Sequence, residues 1–181
     1  MATTEAAPRP AGTHPEMVRA DLEEVFRATY PRVVAVAARV LGSSYEAEDV
    51  AQEVFLELAR TTAVPAARAP GWLAAAAAHT ALNRLRSGRR RAARELRSAD
   101  GDRTSPDVAE TVVALDAARR VRAALARLPR KQAVALVLRH SGLSYAEVAS
   151  VLGLSPTSVG TTLRRAESAL RKELDHHAPP D

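Results

Sequence analysis

Residues 144–156 read Ser144-Tyr-Ala-Glu-Val-Ala-Ser-Val-Leu-Gly-Leu-Ser-Pro156, and the order of residue types dictates a local shape. Ser144 and Glu147 stand at capping-box spacing, so the hydroxyl and the carboxylate can each take a backbone N–H that a helix start leaves orphaned. Gly153 permits a tight turn, and Ser155-Pro156 supplies an N-cap and a first helical residue for the next helix. The segment is a helix-turn-helix.

At 100° per residue, Val159, Leu163, Ala166, Leu170 and Leu174 fall on one side of the second helix. Thr157, Thr161, Arg164, Arg165, Ser168 and Lys172 are left on the other side. Small hydroxyls let a helix approach the floor of a major groove, and Arg reads guanine edges there. An ordinary helical hairpin with a polar face is the plainer alternative. The agreement of two caps, a turn glycine and a polar stripe favours DNA binding.

Upstream, Pro129 breaks the chain between an apolar-periodic run, Val108 to Leu128, and a helix expected over Arg130 to Arg139. Before that, Ser98 to Pro106 reads Ser-Ala-Asp-Gly-Asp-Arg-Thr-Ser-Pro, a polar stretch that no core needs, and it is assigned to a flexible linker. In the first half, Leu22, Val25 and Phe26 mark a helix from Met17, and Pro31 sits where it could open a second helix that Gly42 closes. Ser43 and Glu46 start a third, running to about Arg60. Thr61 to Gly71, with Pro65 and Pro70, reads as a loop, and a fourth helix follows from about Trp72 into an arginine cluster.

Composition agrees. Of 181 residues, 46% are hydrophobic but only 3% aromatic, and none is Cys. An aliphatic, helical core follows, while a β-sandwich or barrel, disulfides, zinc-thiolate sites and a cysteine nucleophile are disfavoured or excluded. The fold class expected is all-α: two small helical domains on a flexible linker, bounded as a tail 1–16, a first domain 17–97, the linker 98–108, a second domain 109–175 and a tail 176–181. The N-terminal residues lack the apolar stretch of a signal peptide, and Trp72 to Ala78 is too short for a bilayer span. A soluble, cytoplasmic protein with no membrane insertion is expected. The five His are scattered and no Gly-rich phosphate loop occurs, so no metal, no cofactor and no enzyme chemistry is expected.

Three further features point to partners. Between residues 84 and 97, seven arginines face a single acid, Glu95, although the whole chain carries only +5. Basicity this concentrated suits a polyanion, with a solvated helix end as the alternative. On the third helix, Asp49, Gln52, Glu53 and Leu56 stand opposite the apolar stripe of Ala47, Val50, Ala51, Val54, Phe55 and Leu58. An exposed Leu among acids is a partner-binding pattern, though single exposed leucines are common. On the fourth helix, Trp72, His79, Asn83 and Arg86 share one line. They could stack on and hydrogen-bond to unpaired bases, or the Trp could be a half-buried packing residue.

Together these segments resemble the small two-domain bacterial sigma factors of the extracytoplasmic function (ECF) group, over roughly Asp21 to Leu174. Glu48-Asp49-Val50-Ala51-Gln52-Glu53-Val54-Phe55 is similar to that family's D-x-x-Q-E-x-F signature. The resemblance implies that the first domain corresponds to sigma region 2 and the second to the helix-turn-helix of sigma region 4. It further implies that Asp49, Gln52, Glu53 and Leu56 dock on the β′ clamp helices of core RNA polymerase, with the β subunit also contacted. Trp72, His79, Asn83, Arg84, Arg86, Arg89 and Arg90 would bind the melted −10 element, a flipped base lodging near the 61–71 loop. Thr157, Ser158, Thr161, Arg164, Arg165 and Lys172 would bind the −35 element, and an anti-sigma factor is an expected partner.

This chain departs from the family's pattern at four of these places. It has His79 where Asn is usual and Asn83 where Asp is usual, and Gly160 and Thr162 replace two usual cations of the recognition helix. The rival reading, a helix-turn-helix regulator that is not a polymerase subunit, accounts for the second half of the chain but not for the Asp49/Gln52/Glu53 face.

Overall fold

Seven helices account for nearly all of residues 15–61, 64–98 and 109–176, which the computed structural model describes. In chain order they are α1 (Pro15–Leu41), α2 (Ser44–Arg60), α3 (Ala69–Ser98), α4 (Ala109–Arg127), α5 (Arg130–His140), α6 (Tyr145–Leu152) and α7 (Pro156–His176), with a single 3₁₀ turn at Ala66–Arg68 before α3. The all-α expectation is met. The expected tails, apart from Pro15, Glu16 and His176, and the expected linker, apart from Ser98, lie outside the described residues.

The first domain is built by α1, α2 and α3, each packed on the other two. The stripe read on α2 is its buried face: Ala47, Val50, Ala51, Val54, Phe55 and Leu58. Ser43 caps this helix, its hydroxyl accepting from the N–H of Glu46 at 3.3 Å. From α1 come Val33, Val36, Ala37 and Val40, and from α3 Leu73, Ala77, Ala78, Ala81 and Leu82, all but inaccessible to water. The alanine run thus lets α3 sit close to its neighbours, because small side chains keep helix axes near.

Two boundaries differ from the sequence expectation. Pro31 does not open a new helix but lies inside α1. Proline removes a donor and costs a helix interior about 3 kcal/mol, so tertiary contacts must hold both halves on one axis. Phe26 and Tyr30, just before Pro31, form a three-ring cluster with Phe55 of α2, with centroids 4.8–5.9 Å apart. Val33 and Val36, just after it, are in the core. The second difference is α3, which begins at Ala69, so that Pro70 and Gly71 occupy its first turn, where a missing N–H costs nothing.

The second domain packs α5 against α7 and α6, with α4 lying on α7. Ser144 and Glu147 make the full reciprocal capping box at the start of α6: Ser144 N–H donates to Glu147 Oε2 at 2.7 Å, and Glu147 N–H donates to Ser144 Oγ at 3.2 Å. Hydrogen bonding of the carboxylate to Ser144, by its backbone N–H first and its side chain second, holds the Glu147 carboxyl below its ordinary pKa, Arg32 of α1 adding a smaller pull. Gly153 ends α6 at φ 60°, a left-handed conformation in which a Cβ would be strained. Among the described residues no helix is long and apolar enough to cross a membrane, and no group of His, Cys, Asp and Glu is arranged to hold a metal.

Candidate nucleic-acid and polymerase interfaces

Every residue assigned to the groove-facing side of α7 is at the surface. Thr157, Ser158, Thr161, Arg164, Arg165 and Lys172 are exposed, while Val159, Leu163 and Ala166 are buried against α5 and α6. At the leading tip the hydroxyls are organised by Ser155, whose Oγ lies 3.0 Å from Thr157 Oγ1 and 2.6 Å from Ser158 Oγ and accepts the Ser158 N–H at 3.3 Å. One turn on, Thr162 Oγ1 donates back to the Ser158 carbonyl at 2.9 Å and is thereby turned toward its own backbone. Gly160 faces the ring of Tyr145, and a Cβ there would meet Cε2 at 3.7 Å, an ordinary contact. The outer face therefore offers small hydroxyls at its tip and cations about two to four turns later.

On α2, Gln52, Glu53 and Leu56 are exposed and Asp49 is partly so, with Leu56 presenting 56% of its surface to solvent. The unexpected feature is the partner of this acidic face. Arg84, assigned with the DNA-binding arginines, reaches across from α3: its Nη2 donates to Glu53 Oε2 at 2.8 Å, and its Nη1 stands 4.0 Å from Asp49 Oδ2. Sequence reasoning placed Arg84 with its chain neighbours, whereas its rotation about α3 places it with α2.

The remaining arginines of α3 divide by the same rotation. Arg90 and Arg91 are exposed, Arg90 touching only Ser87 Oγ of its own helix at 3.0 Å among the bonds resolved. Arg86 and Arg89 instead turn toward the second domain. Arg86 donates from Nε to the Ala126 carbonyl at 3.0 Å and from Nη2 to the Leu128 carbonyl at 2.8 Å, while Arg89 Nη1 donates to the Ala123 carbonyl. Burial, then the positive charge of Arg127, lowers the pKa of Arg89, with Glu173 pulling the other way. A shallow cleft of about 350 Å³ lies between Arg86, Arg89, Arg90 and Ala126.

The line of Trp72, His79, Asn83 and Arg86 is likewise mixed. Trp72 is half-buried and packs on the core, which fits the packing alternative as well as a stacking role. Asn83 is exposed. His79 is half-buried and accepts, through Nδ1, a hydrogen bond of 2.9 Å from Arg130 Nε of α5. Burial, then the charges of Arg130 and Arg86, pushes its pKa below the ordinary imidazole value and keeps the ring neutral. Arg130 went unremarked in the sequence, where nothing local singles it out.

Comparison with known proteins follows the same division of the chain. Residues 25–91 match the family described as Sigma-70 region 2, and residues 118–170 match Sigma-70, region 4. The chain is 33% identical over 153 residues to the ECF RNA polymerase sigma factor SigK of Mycobacterium ulcerans (strain Agy99), covering 81% of this chain and 82% of that relative. It is 31% identical over 163 residues to SigK of Mycobacterium tuberculosis (strain ATCC 25618 / H37Rv), covering 87% of each. Among solved structures, the sigma factor RpoE in complex with the anti-sigma factor NepR from Bartonella quintana is similar at a TM-score of 0.47 and 18% identity, over 87% of this chain and 99% of that one. A regulator unconnected with polymerase would leave the region 2 match without a role. The chain belongs to the ECF sigma factors of the sigma-70 family, non-catalytic subunits that direct RNA polymerase to promoters.

Proposed function

We propose that the chain divides promoter recognition between its two domains in the cytoplasm, where core polymerase acts. In this reading Asp49, Gln52, Glu53 and Leu56 dock on the β′ clamp helices, with the β subunit also contacted. The supporting observation is an exposed Leu among polar groups on the side of α2 opposite its buried stripe. Apolar contact there supplies affinity and the acids select a basic partner surface. Trp72, His79, Asn83, Arg86, Arg89 and Arg90 serve the melted −10 strand, the aromatic ring stacking on bases and the cations neutralising phosphates. Arg84 joins the docking face by its partners, Glu53 and Asp49.

The outer face of α7 serves the −35 element. Thr157, Ser158 and Thr161 lead into the groove, Arg165 reads a base edge, and Arg164 and Lys172 contact phosphates. Regulation by an anti-sigma factor belongs to the same proposal. The test is transcription by bacterial core polymerase on a promoter library with and without the factor. A defined start site with a shared upstream sequence is expected, and Arg165→Ala should relax the preference at one position. Initiation that is indifferent to upstream sequence would overturn the −35 assignment.

A further inference from the structure

Asp49 and Glu53 stand four residues apart on α2, the spacing at which like charges on one helix face repel. Glu57 continues the row one turn on and is exposed. A cation for the first two comes from α3, from 31 positions further along the chain than Glu53. Arg84 Nη2 donates to Glu53 Oε2 at 2.8 Å, and its Nη1 stands 4.0 Å from Asp49 Oδ2, so one guanidinium serves both acids. The nearby arginines of α3 are directed elsewhere: Arg86 and Arg89 end on carbonyls at the end of α4, and Arg90 on Ser87. All three members of the Arg84 cluster remain in contact with water, with 36% of the Arg84 side chain exposed, 45% of Asp49 and 56% of Glu53. Charges this open hold one another weakly, so a cation arriving from outside can contend for the same carboxylate oxygens.

We propose that Arg84 is a positioning residue that restrains docking on core polymerase, by competing with the partner's own cations for Asp49 and Glu53. The inference rests on the docking reading of α2 given above. A basic partner surface has to meet carboxylate oxygens that Arg84 already holds, and it meets them with a guanidinium of its own sign beside them. Two effects follow. With Arg84 beside them, the two acids present one net negative charge rather than two, so the field that draws a basic surface in is weaker and the encounter slower. Once docked, Arg84 either stays near the arriving cation or is turned out to water, and both weaken the complex. Leu56 and Gln52 supply contact in which no charge competes. A purely structural role is the rival: easing repulsion between Asp49 and Glu53 would steady α2 a little and leave docking unaltered.

The test compares the unaltered full chain with Arg84→Gln and Arg84→Lys for binding to bacterial core polymerase. Association and dissociation rates are followed from low to high salt by the fluorescence of a dye on the α-amino group. Arg84→Gln should associate severalfold faster at low salt and bind severalfold tighter, and the gain should shrink as salt screens the charges. Arg84→Lys, which puts the charge back, should return most of the restraint. Adding Glu53→Gln to Arg84→Gln should cancel most of the gain, because the contested carboxylate is then absent. Unchanged binding by Arg84→Gln overturns the proposal and leaves only the structural role. Weaker binding by Arg84→Gln that Arg84→Lys repairs overturns it too, since Arg84 then holds the carboxylates ready for the partner. Leu56→Ala checks the docking reading separately. Weaker binding by Leu56→Ala beside unchanged binding by Arg84→Gln keeps docking on α2 and removes the restraint. Core binding that Leu56→Ala does not affect moves docking off this face and removes both.

Discussion

Arg84 on α3 and Glu53 on α2 meet at 2.8 Å, joining across two helices a cation and a carboxylate that stand 31 positions apart in the chain. The pair is solvent-exposed, so it adds at most about 1 kcal/mol to stability. Its effect is on charge: Arg84 partly neutralises the acidic face of α2 proposed to meet polymerase, and is turned away from the arginines proposed to meet DNA.

Arg84→Gln should therefore leave the salt dependence of promoter-complex formation unchanged, whereas Arg90→Gln should flatten it. Each lost phosphate contact lowers the slope of log K against log salt by about 0.7–0.9. Equal slopes for the two variants, measured by filter binding from low to moderate salt, would show that Arg84 does reach DNA.

Asp49→Ala combined with Gln52→Ala should weaken binding to core polymerase strongly, since truncating buried charged contacts at an interface costs about 2–5 kcal/mol. Stability should change by only about 0.5 kcal/mol, because neither side chain is in the core. Affinity by fluorescence anisotropy and unfolding by denaturant titration are the two measurements. Wild-type affinity in a folded double variant would remove the docking assignment.

Gly160→Lys should be tolerated and should stabilise α7 by up to about 1 kcal/mol, the difference between Gly and a good helix former. The new Cβ meets only Tyr145 Cε2 at van der Waals distance. With Thr162→Arg added, affinity for duplex containing the upstream element should rise, since two cations join the exposed surface. The Arg must first give up the bond that Thr162 now makes to the Ser158 carbonyl. A higher melting temperature with no gain in DNA affinity would place the groove contact elsewhere on the domain.

Acid should loosen the contact between the domains. His79 has a lowered pKa in the packed form, from burial and from Arg130 on α5 and Arg86 on α3. The separated form therefore binds more protons as pH falls through the ordinary imidazole value, about 6.5. The packed form is at full strength above that pH and weakens below it, because a protonated Nδ1 cannot accept from Arg130. Spin labels at Glu57→Cys and Glu167→Cys, both exposed, should give one narrow distance at pH 7.5 and a broader, longer one at pH 5.5. His79→Gln should remove the difference, and a distance that ignores pH in the wild-type chain would refute the coupling.

Local chemistry by itself determined the helices and their faces. The capping box of Ser144 and Glu147, the left-handed turn at Gly153 and the buried stripe of α2 all depend on residues within a few positions of one another, so spacing alone specifies them. The exposed hydroxyl and cation face of α7 follows from the same periodicity. Tertiary structure decided what those rules leave open. Pro31 stays inside α1 because rings from two helices clasp the segment before it, a contact between Phe26 and Phe55 that no local pattern encodes. The arginine cluster reads as one basic run, yet the turn of α3 sends Arg84 to α2, Arg86 and Arg89 to α4, and Arg90 to solvent. A sequence shows that a proline-terminated helix leaves carbonyls in need of donors. Which donors arrive, from some forty residues upstream, is settled only when the two domains pack.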